Sequence, residues 1–269
     1  MKIIRVFPRR TSYTPIDDYA FEGYPPMIRP ETDEVHISVT FTWDMEKGEQ
    51  LKQAWKQYYP IVGLGGPAYD SSHLFNPGVY VKQGITFTTR GCNNRCPWCL
   101  VPEREGKLRT LAIQPGYIIA DNNLLQAPQD HVDAVFQMLR GQRRAAVFSG
   151  GLDARLITDS IADTLRGLRI SQLFLACDTE ASLKPLRLAT DKLKALGRDK
   201  LRCYVLIGFN GETIQQAENR LRAVWEVGAM PFAQLWQPPE RKKIEYPKQW
   251  RGLARTWSRP AAMKTVMSL

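Results

Sequence analysis

GITFTTRGCNNRCPWC, residues 84–99, runs a β-branched stretch straight into three cysteines at C-x3-C-x2-C spacing. GITFTT reads as a strand, and the cysteines as the loop that leaves its carboxyl end. Strand-like runs recur downstream: GYIIAD (116–121), AAVFSG (145–150), SQLFLAC (171–177), LRCYVLIGF (201–209) and MPFAQLW (230–236). Between the later runs apolar residues fall at helical spacing: Val132, Val135, Phe136 and Leu139, then Ile161, Leu165 and Leu168. Leu186, Ala189, Leu193 and Leu196 form a third stripe, and Ile214, Ala217, Leu221, Val224 and Trp225 a fourth, headed by Thr213 and Gln216 at capping-box spacing. Alternating strands and helices specify an α/β fold with a parallel sheet; repeated right-handed crossovers predict a partial (β/α)6 TIM-type barrel. An open doubly wound sheet is also compatible with the alternation. In both, chemistry is expected just after the strands.

Outward from this core, residues 1–30 are rich in Pro, Arg and Tyr and read as an extended surface arm. VHISVTFTW (35–43) reads as a strand, Leu51, Ala54, Trp55 and Tyr58 mark a helix, and IVGLGGP (61–67) reads as a second short strand. The expected organisation is an arm with a βαβ extension over 1–77, a barrel over 78–239 and a basic tail over 240–269. In the tail, Trp250, Leu253, Ala254 and Trp257 form one helical stripe and Arg251, Arg255 and Arg259 another. A closing helix with a solvated basic face fits this pattern, as does contact with RNA or another polyanion.

Hydrophobic content of 43% with 24% charged residues is that of an ordinary globular chain, and no apolar run nears the roughly 18 residues that cross a bilayer. MKIIRVFPRR has no apolar stretch behind its basic residues, so a cytoplasmic location is expected. Five cysteines, three of them crowded together, suit a metal site in a reducing compartment better than a disulfide framework. A net charge of +10 favours anionic partners: nucleic acid, nucleotide or an acidic redox protein.

Three thiolates this close in sequence can reach one soft metal centre, zinc or an iron-sulfur cluster. Zinc in a structural site requires a fourth ligand. His36, His73 and His131 lack useful spacing to the loop, and Cys177 and Cys203 are remote, so a fourth would have to come from the fold. A [4Fe-4S] cluster held by three cysteines instead keeps one iron open to a small molecule.

TTRGCNNRCPWC, following a strand and opening a barrel, resembles the cluster loop of the radical S-adenosylmethionine superfamily, including the aromatic Trp98 before the third cysteine. The resemblance implies a [4Fe-4S] cluster on Cys92, Cys96 and Cys99. It further implies that S-adenosylmethionine binds the open iron and is cleaved to methionine and a 5'-deoxyadenosyl radical that abstracts a substrate hydrogen. A one-electron donor such as flavodoxin or ferredoxin is implied as partner.

The same resemblance puts cofactor contacts at the strand ends. Asp121, Asn122 and Asn123 correspond to residues that bind the amino group; Gly150 and Gly151 are the alternative if the second strand is shifted. Arg155 is a candidate for the methionine carboxylate, or a salt-bridge partner of Asp153. Asp178 corresponds to a polar residue that touches the cofactor, while Ile207 and Gly208 resemble part of a fifth-strand motif that meets adenine. Glu212 is expected to steady that turn.

Missing residues narrow the class. No cysteine precedes Cys92 and none follows Cys203, which removes the extra cluster cysteines of methylthiotransferases and peptide-maturing members. Cys177 and Cys203 read as buried inert thiols. The N-terminal βαβ unit resembles a truncated cobalamin-binding domain without its D-x-H-x-x-G loop, so cobalamin is not expected. From a different class, the alternative is a non-catalytic zinc- or iron-sulfur-stabilised module that binds nucleic acid through its basic tail.

Overall fold

The structure, a computed structural model, describes residues 2–69, 79–238 and 243–268; His73 lies outside them. The chain divides into two compact units, Met1–Ile85 with Pro238–Ile244, and Thr86–Gln237 with Glu245–Leu269. The first unit extends past the expected boundary at residue 77 because residues 79–82 are tied into it. Arg5 Nη1 donates to Val79 O at 3.1 Å, Lys82 N to Tyr13 O at 2.9 Å, and His36 Nδ1 is hydrogen-bonded to the Tyr80 hydroxyl at 2.5 Å.

The first unit is a parallel four-stranded sheet: β1 (Ile3–Phe7), β2 (Ala20–Glu22), β3 (Glu34–Ser38) and β4 (Val62–Gly65), in the order β2-β1-β3-β4. The expected surface arm is therefore corrected: its start is an interior strand, with Ile4 and Val6 fully buried. Arg5 disguised it. This buried side chain is kept by an ion pair with Asp17 and by the Val79 carbonyl. Helix α1 (Met45–Lys56) joins β3 to β4 and buries Leu51 and Trp55 against the sheet. Tyr59 completes the buried set in place of Tyr58, which is 52% exposed, because the helix ends before both.

The remaining expected strands all form: β5 (Ile85–Thr86), which stands at the boundary, and in the second unit β8 (Ile118–Ile119), β9 (Ala146–Phe148), β10 (Ile170–Ala176), β11 (Leu201–Ile207) and β12 (Met230–Leu235). Between β5 and β8 the chain makes an excursion, β6 (Thr89–Arg90), α2 (Val101–Glu105) and β7 (Arg109–Thr110), with β6 and β7 antiparallel. The sheet order is β12-β11-β10-β9-β8-β5, and from β8 to β12 every pairing is parallel. Each new strand is thus added at the same edge, a singly wound sheet rather than one that reverses.

Helices α3 (Gln129–Arg140), α4 (Asp159–Arg166), α5 (Leu183–Leu193) and α6 (Ile214–Glu226) bring the expected stripes into one core with Leu173, Leu175, Val205 and Ile207, except Ile214, which is half-buried at the head of α6 and outside that core. The Thr213/Gln216 capping box forms at the head of α6. Helices α7 (Lys248–Thr256) and α8 (Pro260–Ser268) belong to this unit, and Met263, Val266 and Met267 of α8 pack on its core. Trp257 is 1% exposed, and its carbonyl accepts from Ala233 N at 3.1 Å, along the open edge of β12. Arg251, Arg255 and Arg259 are exposed. Among the described residues no helix is long and apolar enough to cross a membrane.

If β1 is an interior strand, Ile4→Ala removes a fully buried side chain and should lower stability by about 2–5 kcal/mol. Urea unfolding followed by circular dichroism measures this; a near-zero loss would restore the surface-arm reading.

Candidate cofactor cleft

The cysteine loop is closed at its neck before any metal is considered. Strands β6 and β7 pair Thr89 with Thr110 and Arg90 with Arg109. Just beyond, Cys92 N donates to Gly106 O at 3.2 Å. Gly91, at φ +82°, is required there, because a Cβ would lie 2.3 Å from Lys107 O. Glu105 fastens the ends: it pairs with Arg90 at 2.5 Å, both side chains 10% exposed, and accepts from Gly91 N at 3.2 Å and Asn122 Nδ2 at 2.5 Å.

Within the loop, side chains bond outward to three strand ends. Gln126, after β8, accepts from Asn93 N at 2.8 Å and from the Cys92 thiol at 3.6 Å, and donates to Asn94 Oδ1 at 3.0 Å. After β9, Asp153 accepts from Asn94 Nδ2 at 3.1 Å and Arg155 donates to Asn94 Oδ1 at 2.9 Å. After β10, Asp178 accepts from Trp98 Nε1 at 3.2 Å and from Leu206 N at 2.8 Å. Asn93, Asn94, Gln126 and Glu105 were not anticipated as site residues; the Asn-Asn pair between the cysteines was the one signal available.

A cleft of about 870 Å³ opens at these strand ends, lined by Cys92, Cys96, Cys99, Trp98, Asn122, Asn123, Arg155 and Asp178. Gly150 and Gly151 line it too, so both alternatives for the second-strand motif meet in one place. Asp121, Ile207 and Gly208 are not among its walls. Asp121 is 1% exposed and spends its oxygens on Thr88 N at 2.6 Å, Thr89 N at 3.0 Å and the Thr88 hydroxyl at 2.5 Å, turning the chain from β5 into β6. Ile207 is fully buried in the helix-side core. Gly208, at φ +78°, is approached by Tyr246, whose ring lies 2.8 Å from where a Cβ would stand.

The remainder of LIGFNGET is consumed by its own turn. Glu212 accepts from Gly208 N at 2.8 Å and pairs with Arg220 at 2.5 Å, while Arg220 donates to Leu206 O at 2.6 Å. Glu212 therefore steadies the turn, as expected. Cys177 and Cys203 are fully buried, and burial pushes the Cys177 thiol up to about 12, which fits inert core thiols.

Electrostatics distinguish the cleft's carboxyls. Burial raises Asp178, only partly opposed by its bonds to Leu206 N and Trp98. Burial also pushes Asp153 upward, but its bonds from Arg155 and Asn94 prevail and hold it below the usual carboxylate range. Arg155 donates to Asp153 through Nε at 2.8 Å and Nη2 at 2.5 Å. The salt-bridge alternative for Arg155 is thus realised. Burial raises Cys96 and Cys99; Cys96 is raised further by the charge of Cys99 and Cys92, and Cys99 by that of Cys92, so the three share one electrostatic neighbourhood.

All five cysteines are free. Among the described residues no three His, Cys, Asp or Glu side chains converge closely enough to hold a metal ion as they stand. The donor set nonetheless suits a soft centre, since three thiols line one cleft. Asn123 adds a second fit: it is 5% exposed, and its Oδ1 is buried beside them with no hydrogen-bond partner among the described residues. A buried acceptor left unpaired costs about 1–3 kcal/mol, and an ammonium donor in the cleft would offset it. No protein-family model matches this chain, and no curated protein matches it either.

Glu105→Gln breaks a buried ion pair and should cost about 3–5 kcal/mol, seen in urea unfolding together with faster proteolysis between residues 91 and 106. Asp153, depressed in the fold, contributes stability above its unfolded value near about pH 4 and loses it as pH falls through the folded value. The deficit of Asp153→Asn relative to the parent chain should therefore be present at pH 6 and shrink on acidification. A deficit independent of pH would contradict the assignment.

Proposed function

We propose that the chain is a radical S-adenosylmethionine enzyme, with a [4Fe-4S] cluster held by Cys92, Cys96 and Cys99 on a partial (β/α)6 barrel. What carries the reading is a loop of three free thiols, closed at its neck, at the carboxyl end of the first strand of a singly wound sheet and facing one cleft. Crossovers of one hand lay the helices on one face of such a sheet and let the other curve round the cleft, where Tyr204, Leu206 and Gln234 line it. Bound there, the cluster with S-adenosylmethionine supplies a 5'-deoxyadenosyl radical for hydrogen abstraction, given an electron from a flavodoxin- or ferredoxin-like donor.

The protein's own part is to bind and orient. Asn123 Oδ1 is the acceptor for an amino group. Arg155, fixed by Asp153 through Nε and Nη2, keeps Nη1 for a carboxylate. Asp178 joins Trp98 in the loop to Leu206 on β11, so it orients the thiols against the cleft wall rather than touching cofactor itself.

Anaerobic reconstitution with iron and sulfide, followed by dithionite and S-adenosylmethionine, should yield 5'-deoxyadenosine, with Cys96→Ala at background. Tightly bound zinc at unit stoichiometry, or a filled cluster that cleaves nothing, would sink the proposal. Asn123→Leu should retain iron yet weaken S-adenosylmethionine binding about ten- to a hundredfold, the loss of one hydrogen bond to a charged group.

A further inference from the structure

At the opposite end of the second unit's sheet, helices α3, α4 and α5 return to the adjacent strands β9, β10 and β11. The three returns, residues 140–144 (RGQRR), 166–169 (RGLR) and 194–200 (KALGRDK), hold eight cations and one acid, Asp199. All eight, six arginines and two lysines, are exposed. Since neighbouring strands lie about 4.8 Å apart, the loops form one continuous row. Arg169 joins two of them by donating to Gln142 O and to Arg143 O.

Local structure accounts for part of this charge. Arg140, Arg166 and Lys194 stand at helix carboxyl ends, where the dipole favours a cation. Arg166 also has an exposed pairing with Asp163, and Asp199 is engaged by Lys264 at 3.1 Å. On the helices behind the third loop, Asp191 and Glu226 share an open hollow with Lys194 and Arg198. Arg143, Arg144, Arg169, Arg198 and Lys200 lie beyond the helix ends. Among the described residues the Arg143 and Lys200 side chains have no partner. A further cation at this end, Arg202, is 5% exposed with no ion pair among the described residues, its guanidinium 5.8 and 5.5 Å from the Phe174 and Phe232 rings. Its Nε has no acceptor among the described residues. The fold thus supplies few carboxylates against the positive field here.

We propose that these three loops form a docking surface for the phosphate backbone of a nucleic acid. Six forked guanidiniums suit phosphate oxygens better than point charges do. Arg144 lies 5.1 Å from the Tyr117 ring and Arg198 4.6 Å from the Trp225 ring, pairs that offer planar faces to bases. A protein partner would need an apolar centre, whereas Leu168 is 7% exposed and the row has no other large apolar residue except the half-buried Leu196. An electron donor does not belong here either. A seven-residue strand spans about 20 Å, and β10 and β11, each seven residues long, separate these loops from the cysteine end. The surface does not depend on the radical reading.

Fluorescence anisotropy of the full chain with a short labelled single-stranded RNA of mixed sequence, across a salt series, tests it. Affinity should fall linearly with salt on logarithmic axes. Arg143→Ser/Lys200→Ser removes two exposed cations whose side chains the fold does not use, and should flatten the slope by about 1.4, or 0.7 for each phosphate no longer neutralised. Arg251→Ser/Arg255→Ser on α7 should leave it unchanged. Absence of salt-dependent binding overturns the proposal, as does flattening confined to the α7 variant or tighter binding of polyglutamate than of RNA at matched salt.

Discussion

The cleft depends on the pairing of Arg90 with Glu105. Both are nearly buried, and the two residues bracket the loop that carries the thiols. A loop of this length loses considerable entropy if its ends are free, and closing the neck removes that cost before any ligand arrives. The same carboxylate accepts from Gly91 N and Asn122 Nδ2, so the loop and the end of β8 are set by one side chain. Asp121 does the complementary work one layer down, turning the chain from β5 toward the loop.

Much of the fold was legible because period and position are local properties. The six strand runs and four helix stripes announce themselves by alternation and by 3.6-residue spacing, and they form as expected. Strand β1 did not, since Arg5 breaks the apolar alternation and is rescued by Asp17, twelve residues away. The cleft was legible in its cysteines, Trp98, Asn122, Asn123, Arg155 and Asp178. Asp121 was misleading for a physical reason: a carboxylate after a strand looks ready for a ligand, and nothing nearby reveals that Thr88 and Thr89 will claim it. Gly208 misled in the same way, its open side being met by Tyr246 from a distant segment.

Polar groups at the cleft are mostly saturated by one another, which limits what is left for a ligand. Asp153, Asn94, Arg155 and Gln126 form a closed network, and Asp178 is shared between Trp98 and Leu206. Within a well-satisfied network, one buried acceptor without a donor stands out more than any charge would. Asn123 Oδ1 is that atom, and among the described residues its side chain is otherwise held only by a long hydrogen bond to Asp153, 3.5 Å.

The topology divides labour between the two ends of the second unit's sheet. Loops after the strands carry thiols and a balanced set of charges; loops before β9, β10 and β11 carry cations almost without acids. Helix dipoles direct their negative ends toward the second group, so a few lysines and arginines there are ordinary stabilising residues. Stability alone does not require those placed beyond the helix ends, nor the desolvated Arg202. A buried cation without a carboxylate is costly, and a chain that keeps it in an already positive region gives up stability for a field. Such a field acts at a distance on anions and needs no enclosing walls, which is why this end spreads its charge over an open surface, while the other has a cleft and little net charge.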